Sequence, residues 1–377
     1  MTSPILLSAP DVGELEQDYV LRAMKSGWVA PAGPDLEAFE TEVAGRCQVD
    51  YSVGLTSGTA ALHLALLSWG VGPGDVVVTS TLTFAATANA IVYTGAEPYF
   101  VDCDPTTANM DPNLLDGALQ ALAAEGQRVA AVLPVDMLGK CADYTRIETV
   151  VSAHGVRMLC DAAESFGAGS GGRPAGSMGD AAVLSFNGNK IMTTSGGGML
   201  LTNDQDLAKH VRYLSTQARQ PVEHYEHTAI GYNYRLSNIL AALGRAQLVR
   251  LDDMKGRRRD WRERYRALFA DQGGVALIGG KDDSEDNCWL TAISVDEAVA
   301  GWSPGHLRAE LKRAGIESRP VWKPLHLQPV FADCGGSIEG GAERLFEQGV
   351  TLPSGSGMTS AEFDRIEQAI LNATGRA

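Results

Sequence analysis

The sequence lacks several features that would settle its class at once. Its six cysteines, Cys47, Cys103, Cys141, Cys160, Cys288 and Cys334, never fall at C-x-x-C spacing, so neither a zinc ribbon nor a paired redox motif is written here. A chain of 377 residues buries enough core to fold without disulfide staples. The thiols therefore read as reduced ones in a cytoplasmic protein. No apolar stretch reaches the roughly 18 residues of a membrane-spanning helix, and no basic segment followed by an apolar run opens the chain. The sequence predicts neither export nor membrane insertion.

Positive charge is scarce as well. Lys and Arg number 31 against 46 Asp and Glu, a net charge of -15. A duplex partner needs a basic face to release its counterions, so broad nucleic-acid binding is excluded. The one basic run, Arg257 to Arg266, is interleaved with Asp260 and Glu263 and predicts a solvated helix face. Internal repeats and low-complexity segments are absent. What is abundant is glycine, 42 residues, which suits tight strand-to-helix turns and backbone that lies close to a ligand.

From about Val53 to Asn203, short apolar runs alternate with helical patterns, as in an α/β domain with a mostly parallel sheet. The runs are Val76 to Ser80, Pro98 to Asp102, Ala130 to Val135, Val156 to Cys160, Ala181 to Phe186 and Gly198 to Thr202. Their unbroken apolar character predicts strands buried on both faces. Helices are expected over Thr59 to Trp69, Ala85 to Thr94, Asn113 to Ala124 and Tyr144 to His154. Leu236 to Phe269 reads as one long helix with Gly256 as its weak point. Beyond it the pattern predicts a strand at Cys288 to Val295, a helix at Ser303 to Ala314, a strand at Ile316 to Val321, and a last helix near Ala361 to Asn372 with a Thr359/Glu362 capping box. This divides the chain into a large α/β domain with an N-terminal arm, 1–250, and a smaller α+β domain, 251–377.

Three segments carry candidate chemistry. In Thr56-Ser57-Gly58-Thr59-Ala60-Ala61-Leu62-His63 a strand runs through small residues into a helix. Such a start offers free N–H groups and partial positive charge to a phosphate, or is simply a Ser/Thr N-cap. Asp161 stands where an apolar strand ends, so its carboxylate faces the crevice at the strand's C-terminal edge or caps the next turn. In Ser185-Phe186-Asn187-Gly188-Asn189-Lys190, a strand delivers an amine into a glycine-rich stretch, Thr193 to Gly198, where neighbouring groups can make it nucleophilic. His224-Tyr225-Glu226-His227 lacks a third firm ligand and predicts no metal site.

Together these segments resemble the DegT/DnrJ/EryC1/StrS group of sugar aminotransferases, nearly end to end. The likeness includes Gly27-Trp28, Phe39-Glu40, Ser57-Gly58-Thr59, Thr83-Phe84-Ala85-Ala86-Thr87, Asp161-Ala162-Ala163-Glu164, the Ser185 to Lys190 block, Gly231-Tyr232-Asn233-Tyr234-Arg235 and Pro324-Leu325-His326-Leu327-Gln328-Pro329. The resemblance implies a fold-type I enzyme that uses pyridoxal 5'-phosphate (PLP), with Lys190 as its covalent attachment and catalytic amine. It implies that Asp161 pairs with the ring nitrogen and that Phe84 stacks on the ring. Gly58, Thr59 and Ser185 would hold the phosphate, with Asn233 reaching it from the neighbouring subunit of a homodimer. Glu164 is expected near the ring's phenolic oxygen, and Trp28 and His326 toward the substrate.

Many family members have a glutamate where this chain has Ser195-Gly196-Gly197-Gly198. The Ser185 to Gly198 block looks most like members that make 4-amino sugars on UDP-linked N-acetylated 4-keto-6-deoxyhexoses, on the bacillosamine-type route, with L-glutamate as amino donor. The alternatives are a 3-amino sugar aminotransferase, a PLP-dependent sugar dehydratase, which has histidine in place of the lysine, and a non-catalytic regulator that binds PLP or a sugar on the same fold.

Overall fold

In the computed structural model, which describes residues 3–376, all six apolar runs become strands of one sheet. The large sheet takes β1 (Tyr51–Leu55), β2 (Asp75–Ser80), β3 (Glu97–Val101), β4 (Arg128–Leu133) and β5 (Arg157–Asp161). A two-stranded ribbon, β6 (Gly169–Ser170) with β7 (Arg173–Pro174), precedes β8 (Ala181–Ser185) and β9 (Gly198–Thr202). A second, three-stranded sheet is made of β10 (Val275–Leu277), β11 (Thr291–Val295) and β13 (Gly349–Leu352), while β12 (Gly336–Ser337) joins the edge of the first. The large sheet has the order β1-β9-β8-β5-β4-β2-β3-β12, and only β9 runs against its neighbours. This is the mostly parallel α/β fold that the alternating pattern predicts.

Every residue of β2 and β9 is buried, because helices cover both faces of the sheet; that cover is why the runs show no polar alternation. The helices start where side chains satisfy their first amides. Ser57 caps Gly58–Ser68 through Ala60 N at 3.0 Å, and Asp143 caps Tyr144–His154, which Gly155 ends in the left-handed region at φ 64°. The last helix, Ser360–Ala373, carries the Thr359/Glu362 capping box.

The long helix, Asn238–Phe269, is unbroken through Gly256, an exposed position with open space around it. Its Ala241, Leu251 and Met254 pack into the core of the large sheet, while Trp261, Tyr265 and Phe269 enter a second core with Ile293, Leu307, Val350 and Phe363. Ile5, from the N-terminus, joins that second core and bridges to Ile316.

Three expectations need correction. The basic run is not a solvated face, because Arg258 and Arg262 are buried. Arg258 donates to the carbonyls of Trp289 and Ser354, at 2.6 and 3.1 Å, and Arg262 to Asp283 at 2.6 Å. Full burial pushes the Arg258 pKa down to about 10. Ile316 to Val321 is not a strand; it makes only single bridges, Ile5 to Ile316 and Arg319 to Thr351, and Pro320 has no N–H for a ladder. The strand expected from Cys288 begins only at Thr291, since Cys288 itself sits at φ 55°.

Candidate active site

Three strands bring the candidate residues to one edge of the sheet. β5 ends at Asp161, β8 ends at Ser185, and β1 leads through Thr56 and Ser57 into the Gly58–Ser68 helix. Gly198, the first residue of β9, lies opposite Leu55 on one side and Ser185 on the other. A Cβ on Gly198 would fall 2.3 Å from the Ser57 carbonyl carbon and 2.4 Å from Gly58 N. Glycine there lets the helix start sit against the sheet. Ser195, which precedes the glycines, adopts φ 70°.

The result is a cavity of about 260 Å³ whose walls include Gly58, Thr59, Phe84, Asp161, Glu164, Ser185 and Lys190. Seven of the eight residues expected at the cofactor thus meet in one place, drawn from positions as far apart in sequence as Gly58 and Lys190. The eighth, Asn233, is exposed and bridges to Thr216 outside this cavity. Trp28 is exposed, and its carbonyl accepts from Asn238 Nδ2 at 2.8 Å. His326 is bonded at both nitrogens, with Thr81 Oγ1 at 2.6 Å and Glu343 Oε1 at 3.0 Å. Neither Trp28 nor His326 lines the cavity of the single chain. In the exposed 224–227 segment, His224 pairs with Glu226 and His227 with the Gln217 carbonyl.

The cavity's electrostatics are those of a buried acid cluster with one cation. Asp161 is 4% exposed. Burial raises its pKa, against the pull of a Thr87 hydroxyl at 2.8 Å, the Ala163 amide at 3.2 Å and the charge of Lys190. Glu164 is likewise raised by burial and pulled back by Lys190, whose Nζ lies 3.3 Å from Oε1. Its other oxygen accepts from Leu138 N at 2.8 Å. On its far side the Lys190 ammonium sits 4.1 Å from the ring centroid of Trp289, an attractive cation–π contact. Trp289 and Thr87 were not singled out from the sequence as site residues. Trp289 lies 99 positions from Lys190, and no local pattern links the two.

These groups fit PLP. The first-turn N–H groups of Gly58 and Thr59 cannot be satisfied within their helix, and with the Ser185 hydroxyl they suit a phosphate. Asp161 is a buried carboxyl on the same cavity wall, a group that suits a cationic ring nitrogen. Phe84, 63% exposed and on the cavity wall, offers a flat face.

Comparison with known proteins agrees. The model of the DegT/DnrJ/EryC1/StrS aminotransferase family matches residues 10–371. EpsN of Bacillus subtilis strain 168, provisionally described as a pyridoxal phosphate-dependent aminotransferase, is 42% identical over 99% of this chain and 96% of its own. The GDP-perosamine synthase of Caulobacter vibrioides is 37% identical over 97% of each. Among solved structures, DesI, crystallised in the presence of its TDP-sugar product, superposes with a TM-score of 0.89 at 30% identity, over 100% of this chain and 95% of that one.

Proposed function

Since this chain belongs to the DegT/DnrJ/EryC1/StrS aminotransferase family and is a PLP-dependent sugar aminotransferase, we propose that it converts a UDP-linked, N-acetylated 4-keto-6-deoxy sugar to the 4-amino sugar, with L-glutamate as donor. The observation that carries this reading is the convergence of Lys190, Asp161, Ser185 and the Gly58–Thr59 helix start in one cavity. When bound, PLP supplies an electron sink that lets a C–H bond beside the transferred nitrogen give up its proton. Asp161 would keep the ring nitrogen cationic. Phe84 would hold the ring plane, and Glu164 would lie toward the phenolic oxygen.

Lys190 is the catalytic residue. Its Nζ would hold the cofactor until the donor displaces it, and would then take the proton from the donor's α-carbon. In the second half of the cycle it would move a proton at the sugar carbon in the opposite sense. The cycle is ping-pong. Glu164 and the Trp289 ring, which contact Nζ, would flank that amine.

A second cavity, of about 380 Å³, supports a nucleotide-linked substrate. It is lined by Asn189 and Trp289, next to Lys190, and by Trp322, Phe346, Arg319 and Lys323. Flat apolar walls with Lys323 and with Arg319, which also pairs with Glu317 at 2.9 Å, suit a base and a diphosphate. The exposed apolar residues Tyr225 (81%) and Ile230 (83%), with Phe84, support a homodimer that buries them. Asn233, exposed in its own chain, would then reach the phosphate in the other subunit's cavity. Six unpaired cysteines suit a cytoplasmic enzyme; among the described residues no helix is long and apolar enough to cross a membrane.

The test is spectroscopic. L-Glutamate should bleach the visible band of the PLP-loaded protein, and Lys190→Ala should lack both the band and the response. UDP-, GDP- and TDP-linked keto sugars are then compared for return of the band. Recovery with a GDP- or TDP-sugar alone, or an amine at C3 in the product, would overturn the substrate; no response to any amino donor would overturn the activity.

A further inference from the structure

Asp161 does not hold its charge unaided. Each carboxylate oxygen takes one hydrogen bond, Oδ1 from the Ala163 amide at 3.2 Å and Oδ2 from the Thr87 hydroxyl at 2.8 Å. Thr87 has a single O–H, and an ionised carboxylate can only accept, so that proton is committed to Asp161. The 3.0 Å contact between the hydroxyls of Thr83 and Thr87 then has one direction, with Thr83 donating and Thr87 accepting. Thr83, Thr87 and Asp161 are all buried.

We infer that Thr87, backed by Thr83, is a positioning residue that keeps Asp161 ionised and aimed at the ring nitrogen, and so sets the affinity of the site for its cofactor. The inference rests on the proposed pairing of Asp161 with that nitrogen. The charged and titratable groups around Asp161 leave the work to the hydroxyl. Lys190 is a cation, but it is shared with Glu164. Glu164 and Asp136 are buried carboxyls that Asp161 makes less acidic. Of the two donors to Asp161, the Thr87 hydroxyl makes the shorter contact, 2.8 Å against 3.2 Å for the Ala163 amide. The geometry also joins this support to the ring face, because the Thr87 amide donates to the Phe84 carbonyl at 3.2 Å. Phe84, just before the Ala86–Tyr93 helix, and Thr87, in its first turn, therefore place the aromatic plane and one donor to the carboxylate within four residues.

The measurement is PLP affinity of the apoprotein, read by absorbance titration across pH, for wild type, Thr87→Val, Thr87→Ser and Asp161→Asn, and for Thr87→Val in the Asp161→Asn background. Thr87→Val should weaken binding at least about tenfold, since it leaves a buried acceptor without its donor. It should also move the acid limb of binding to higher pH. Thr87→Ser, which keeps the hydroxyl, should restore affinity to within about threefold. In the Asp161→Asn background, Thr87→Val should change affinity less than about twofold, as the two act through one contact. Thr83→Val should act in the same direction and more weakly, a second variant should Thr87→Val fail to fold.

Equal affinity for Thr87→Val and wild type would overturn the inference. So would an undiminished loss in the Asp161→Asn background, which marks a merely structural role. Asp161→Asn binding PLP as tightly as wild type would instead overturn the pairing of Asp161 with the ring, a separate outcome read in the same titration.

Discussion

Lys190 and Glu164 form an ion pair whose side chains are only 12% and 5% exposed, with Nζ 3.3 Å from Oε1. Lys190→Ala leaves Glu164 buried with only the Leu138 amide. Burial already raises the Glu164 pKa above its ordinary 4.5 and Lys190 pulls it back, so the variant raises it further. A carboxyl with a raised folded pKa binds more protons folded than unfolded, and the cost of ionising it is paid in full above that pKa and lost as pH falls toward 4.5. Lys190→Ala should therefore destabilise the apoprotein by about 3 kcal/mol at pH 8, and clearly less at about pH 5. Urea unfolding at the two pH values is the check, and an equal difference at both would refute the pair.

Gly198 has no room for a side chain, its Cβ position meeting backbone atoms of Ser57 and Gly58. Backbone cannot rotate away as a side chain can. Gly198→Ala should displace the start of the Gly58–Ser68 helix, cost about 1–3 kcal/mol, and weaken PLP binding out of proportion to that loss. PLP titration beside a thermal melt separates the two effects; a melt that drops with affinity unchanged would mean the helix start does not hold the phosphate.

Glu40 anchors the segment that presents Asn233. Its carboxylate is bonded by Arg235, by Arg212 at 2.9 Å and by Gly54 N at 2.6 Å, and both Glu40 and Arg235 are buried. Glu40→Ala strands a buried guanidinium, so a loss of about 3–5 kcal/mol is expected. The paired change Glu40→Ala/Arg235→Met should recover part of it, as denaturant midpoints would reveal.

Gly256 is an exposed position in mid-helix with nothing within contact distance. Gly256→Ala should stabilise the protein by about 0.5–1 kcal/mol through helix propensity alone, with the glutamate response unchanged. No gain in the thermal midpoint would indicate that a distortion at Gly256 serves the join between the two cores.

Much of this was legible in one dimension because its causes are local. The six apolar runs become strands since burial on both faces requires apolar side chains at every position, not at alternate ones. Asp161 and Ser185 could be singled out because each ends a strand, and Gly58 and Lys190 because each follows a strand through a short turn, where an α/β sheet opens on one crevice. The Thr359/Glu362 cap is read directly from a four-residue pattern.

Other features were illegible for equally physical reasons. Arg258 and Arg262 look like surface residues in any window, and only the folding of the 278–290 segment and Ser354 back onto the long helix supplies the carbonyls and the Asp283 carboxylate that let them be buried. Ile316 to Val321 has the composition of a strand, but its neighbours Ile5 and Thr351 each pair with it at a single residue. Local chemistry thus determined which elements form and which residues stand at their ends. The tertiary structure alone decided that Trp289 lies against Lys190, that Thr87 holds Asp161, and that His326 is bound to Thr81 and Glu343. Contacts between residues tens to hundreds of positions apart depend on how the sheet order and the loops bring backbone together, and no sequence window contains both partners.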